Sequence, residues 1–106
     1  MIIAINVDLA RFYIKRNLID KGEMLNDKTY FLLQKFDPSL VYWGKYFRNV
    51  ALIQFHRGDI SKSKDTYCNA IKVTEIGLFP ENALKREFEE EYKLLFPEIT
   101  NNSPEA

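Results

Sequence analysis

Residues 49–71 read Asn49-Val50-Ala51-Leu52-Ile53-Gln54-Phe55-His56-Arg57-Gly58-Asp59-Ile60-Ser61-Lys62-Ser63-Lys64-Asp65-Thr66-Tyr67-Cys68-Asn69-Ala70-Ile71, and the pair Gly58-Asp59 divides them in two. Glycine accepts the left-handed backbone that ends one helix, and aspartate caps the start of the next. Ahead of the pair, Trp43, Phe47, Val50, Ala51 and Phe55 recur at helical spacing and form one apolar stripe. After it, Ile60, Ser63, Tyr67, Ala70 and Ile71 line a second one. Two stripes joined by so tight a turn predict an antiparallel helical hairpin.

The same punctuation extends outward in both directions. Ile5, Leu9, Phe12 and Tyr13 mark a first helix from about Ile3 to Arg16, stopping near Asn17. A second runs from about Ile19 to Phe36, with Gly22 as its weak point. Asp37-Pro38 ends it, because the residue before proline is pushed out of the α region. Pro38 suits the first position of a third helix, where its missing N–H costs nothing. Gly77 closes the fourth helix, and a fifth from Pro80 presents Leu84, Phe88, Tyr92 and Leu95 before Pro97. The expected organisation is one all-α domain over residues 1–97, with a polar, frayed tail at 98–106.

Sliding the chain against itself by 41 positions (51 − 10) carries Ala10 onto Ala51, Leu9 onto Val50, Ile14 onto Phe55 and Gly22 onto Ser63. Asn17 falls on Gly58, and both tolerate a left-handed turn. Trp43 goes to Leu84 and Phe47 to Phe88, so the first, third and fifth helices read as equivalents. Such a period marks a stack in which each hairpin covers the apolar face of its neighbour. Tyr92 stands where Ala51 would recur, a bulky group that suits a terminal helix.

Residues 49–71 resemble a tetratricopeptide repeat. The pattern's small first-helix residue falls on Ala51, its turn glycine on Gly58, its small second-helix residue on Ser63, its aromatic on Tyr67 and its second alanine on Ala70. The first repeat departs from it at Asn17, Asn26 and Thr29. The resemblance implies a short tetratricopeptide-like solenoid of antiparallel hairpins, about five helices in all, whose first helices line a ligand-holding concave face. The longer repeat and the ending around Gly77-Leu78-Phe79 look like the C-terminal repeat region of bacterial peptide-sensing regulators of the Rgg/PlcR type. Those regulators usually carry a DNA-binding helix-turn-helix ahead of the repeats, and this chain has no room for one. A fragment or a stand-alone relative is what that likeness implies.

With Ala51 in the packed interior, Lys45, Arg48, Asn49, Leu52 and His56 are expected on the concave face. Asp8, Arg11 and Lys15 take the matching positions of the first helix. One reading is a basic groove in which Asn49 bonds a peptide backbone while Arg48 and Lys45 hold a carboxylate. The other is an ordinary solvated helix face. The acidic run Glu87, Glu89, Glu90 and Glu91 reads as solvated, or as docked against the basic groove of another copy. Trp43 and Phe47 read as core.

Composition narrows the function classes. Lys plus Arg and Asp plus Glu are both 15, which gives no long-range pull toward phosphate backbones, so no direct nucleic-acid binding is expected. The single Cys68 cannot form an internal disulfide, and with the single His56 it cannot close a zinc site. A reducing cytoplasm fits that cysteine usage. Met1-Ile2-Ile3-Ala4-Ile5 is a poor signal peptide and too short to span a bilayer, so no membrane association is expected. No acid, nucleophile and orienting group converge around His56, so the expectation is no enzyme and no cofactor. The function expected is a peptide- or protein-binding module, with a regulator's ligand-sensing part as its narrower form. The alternative is a structural oligomerisation module, a homodimer joined through end helices that lack covering partners.

Overall fold

The computed structural model describes residues 2–36, 40–77 and 83–97, and among these every regular element is a helix. The helices are α1 (Ile2–Lys15), α2 (Ile19–Phe36), α3 (Leu40–His56), α4 (Ile60–Gly77) and α5 (Ala83–Leu95). All-α architecture with five helices is therefore as the periodicity predicts. Pro38, Pro80 and the tail at 98–106 lie outside the described residues. Among the described residues no helix is long and apolar enough to cross a membrane.

The 41-residue repeat is visible in the backbone. Asn17 has φ 65° and Gly58 has φ 89°, so both hairpin turns pass through the left-handed region. The amide of Leu18 donates to the Tyr13 carbonyl at 2.8 Å, and the amide of Asp59 donates to that of Gln54 at 2.9 Å. Asn17 to Ile14 and Gly58 to Phe55 complete the pair of bonds that closes a helix in the Schellman manner. Gly22 to Leu18 and Ser63 to Asp59 then start α2 and α4 identically. Asparagine reaches by side-chain tolerance what glycine reaches freely.

Within each hairpin the helices meet at small residues. Ala10 and Ala51 are fully buried, and the Ser63 hydroxyl donates to the Ala51 carbonyl at 2.6 Å. Gly22 occupies the matching place in the first hairpin, and it is no weak point. A Cβ there would stand 2.6 Å from Cγ1 of Ile14 and 3.0 Å from the carbonyl oxygen of Ala10. The bare backbone lets α2 lie against α1.

The second hairpin packs on the first through α3, which touches both α1 and α2, and α5 packs on α4. Ile14, Ala51, Leu52, Ile53, Tyr67, and Phe88 belong to one buried cluster. Trp43 and Phe47 are half-buried and stack on each other at 5.9 Å, beside Tyr30 of α2 and Tyr46. Phe47 packs against the buried cluster, whereas Trp43, expected in the core, is a half-buried link between α3 and Tyr30 of α2.

If these contacts set the hairpin geometry, Ala51→Leu and Gly22→Ala should each lower stability by about 1–3 kcal/mol through overpacking. Gly22→Ala is the sharper case, because helix propensity alone would make it stabilising by about 1 kcal/mol. Thermal unfolding reads both. An unchanged or raised Tm for Gly22→Ala would mean that α1 and α2 do not close on that position.

Candidate functional site

Helical spacing explains how the charged residues gather. Arg11 and Lys15 are four apart on α1, Lys45 and Arg48 three apart on α3, and Glu87 and Glu91 four apart on α5. Each pair therefore shares one side of its helix. The three sides converge on a cleft of about 380 Å³, whose charged walls are Asp8, Arg11, Lys15, Lys45, Arg48 and Glu87. Phe12 and Leu84 supply apolar lining.

Two of these cations, Arg11 and Lys15, are held by a carboxylate of α5 that lies outside the lining. Glu91 is buried and accepts from Arg11 at 3.0 Å and from Lys15 at 3.3 Å, both across from α1. Its other oxygen accepts a hydrogen bond from the Tyr67 hydroxyl of α4. Burial alone would push the Glu91 carboxyl upward, but the Tyr67 bond and the charges of Arg11, Arg48 and Lys15 outweigh it and hold it below its ordinary value. Burial, with the Glu91 carboxylate next, drives the Tyr67 phenol in the opposite direction, so it remains a proton donor. Three helices are tied at one ionised group.

Arg48 lies beside it with only 4% of its side chain exposed. Its guanidinium donates to Glu87 at 3.0 Å and sits 4.4 Å from the centre of the Phe88 ring. Lys45 reaches Asp8 at 3.5 Å, an ion pair on the open side of the cleft. Arg11 and Arg48 each retain a buried Nε with no hydrogen-bond partner among the described residues. The cleft lining thus sets four cations against the two carboxylates Asp8 and Glu87.

Four of the seven residues singled out from sequence line this cleft, namely Arg11, Lys15, Lys45 and Arg48. Asn49 and Leu52 do not belong to it. Asn49 is fully buried and donates to the Val7 carbonyl and to Oδ1 of Asn26, both at 3.0 Å, which binds α3 to α1 and α2. Leu52 is in the core cluster. A bound chain reaches neither, so the backbone-holding role expected of Asn49 is replaced by a structural one. His56 is exposed at the end of α3, against Phe55 and away from the cleft lining.

The acidic run also needs correction. Glu91 is buried and Glu87 pairs with Arg48, so half of the run serves the chain's own basic groove, while Glu89 pairs with Lys85. Phe88 between two glutamates four apart was the available signal, because it fixes which side of α5 faces inward. No group of three or more His, Cys, Asp or Glu side chains is placed to hold a metal among the described residues.

Glu91→Gln should destabilise the domain by about 1–3 kcal/mol, since it leaves partly buried cations without their counter-charge. The sign of its pH dependence follows from the lowered carboxyl. Its stabilising contribution is complete above the unfolded-state value, near pH 4.3, and is lost as pH falls through the lower folded-state value. Chemical denaturation should therefore show the wild-type advantage over Glu91→Gln shrinking as pH drops below about 4. An advantage independent of pH would mean that Glu91 is not ionised in its site.

Comparisons of the chain with protein-family models, curated proteins and solved structures found no match.

Proposed function

We propose that the chain is a peptide- or protein-binding helical-repeat module that holds an acidic, extended segment of its partner in the cleft between α1, α3 and α5. The observation that carries this reading is the convergence of Arg11, Lys15, Lys45 and Arg48, from helices distant in sequence, on one open cleft. The ion pairs that Glu87 and Glu91 make with Arg48, Arg11 and Lys15 support a carboxylate-bearing ligand, since they are carboxylate contacts of the same kind. Paired guanidinium and ammonium donors favour carboxylates through charge-assisted bonds. Asn49 and Leu52 act in this reading as scaffold and not as ligand contacts.

The wider assignment to a tetratricopeptide-like solenoid is supported by the shared 41-residue turn geometry. Service as the sensing part of a peptide-responsive regulator is the narrower form of the proposal and is supported by the sequence resemblance.

Isothermal titration with tetraglutamate and tetraglutamine peptides tests the proposal. Tetraglutamate should bind and tetraglutamine should not. Lys45→Glu should weaken tetraglutamate by about 10- to 100-fold, the equivalent of one charge-assisted hydrogen bond lost. Lys72→Glu on α4, away from the cleft lining, is the control. Equal losses in both variants would reduce the effect to general electrostatics and remove the cleft as the site.

A further inference from the structure

We propose that the outward face of the first hairpin is a second docking surface, which takes an amphipathic helix with an acidic edge from another protein. The exposed large apolar side chains are concentrated on this hairpin. Ile5 and Leu9 stand out on α1, and on α2 Met24 is 64% and Phe31 70% exposed. Leu9 and Tyr13 of α1 face Lys21, Met24, Leu25 and Lys28 of α2 across a shallow groove of about 250 Å³. Clustered apolar exposure of this kind marks an interaction surface, whereas isolated exposed residues do not.

The α2 side repeats every seven residues. Met24 recurs as Phe31, Leu25 as Leu32, and Lys21 as Lys28 and then Lys35. A seven-residue period keeps one seam turned toward a packed partner helix along its whole length. The inner groove of the same hairpin already receives a helix, α3, while no described helix covers the outer one.

Charge identifies the occupant. Neither Lys21 nor Lys28 has a carboxylate partner among the described residues. Lys21 rests 5.7 Å from the Tyr13 ring centre and lines the groove together with Lys28. The neighbouring acids Asp20 and Glu23 are turned to Arg57. A helix with an apolar seam and a row of glutamates would bury the former and pair the latter with the lysines. In a twofold pair the same patch meets itself, and an antiparallel crossing of two α2 helices sets lysine row against lysine row. A second copy is therefore the poorer fit.

Two synthetic helical peptides with the same leucine seam, one edged with glutamate and one with lysine, test this by fluorescence anisotropy against the full chain. The glutamate-edged peptide should bind at least about tenfold more tightly. Lys21→Glu combined with Lys28→Glu should reverse that order, with circular dichroism confirming an intact fold. Lys45→Glu in the cleft should leave it unchanged, which separates this surface from the proposed peptide cleft. Absence of binding, equal binding of both peptides, or loss caused by Lys45→Glu would overturn the proposal. So would a dimer in sedimentation that Met24→Glu dissolves, since the face would then belong to a second copy.

Discussion

A carboxylate buried between helices is tolerated only when its charge is matched from several sides, and this chain builds its cleft on that constraint. Glu91 takes a hydrogen bond from Tyr67 on α4 and ion pairs from Arg11 and Lys15 on α1. Apolar packing of Phe88 and Phe96 attaches α5 to the stack, but such contacts are non-directional. The carboxylate supplies direction: α5 must lie where donors from α1 and α4 meet. The position of α5 in turn gives the cleft its third wall.

A related joint connects the two hairpins. Asn26 of α2 meets Asn49 of α3 as Tyr67 of α4 meets Glu91 of α5. Asn26 and Tyr67 are equivalent under the 41-residue shift. In each case a second helix offers a polar group to a buried polar group on the following first helix. Unpaired, either group would cost more than the bond contributes, so the contact selects one register. The stack thus repeats a rule of connection while changing the residues that obey it.

This explains what the sequence made legible. Helix positions follow from stripes of apolar residues and from turns at Asn17 and Gly58, which are local features. Arg11 with Lys15, and Lys45 with Arg48, were each readable as one side of a helix, because spacings of three and four leave little choice. Asn49 was misread because polarity at a helix surface normally signals water, and its buried partners, Val7 and Asn26, are 42 and 23 residues away. Gly22 reads as a helix weakness until Ile14 is seen against it. Glu91 was hidden for the same reason: the pairing that buries it spans 80 residues to Arg11.

The central claim is that the cations of α1 and α3 form one anion-accepting cleft and are more than a solvated surface. Titration of the isotopically labelled chain with tetraglutamate, followed by amide and side-chain chemical shifts, tests it most directly. The account predicts perturbations centred on Arg11, Lys15, Lys45 and Arg48 that saturate with a single binding constant. Shifts spread evenly over the lysines of all five helices, without saturation, would contradict it.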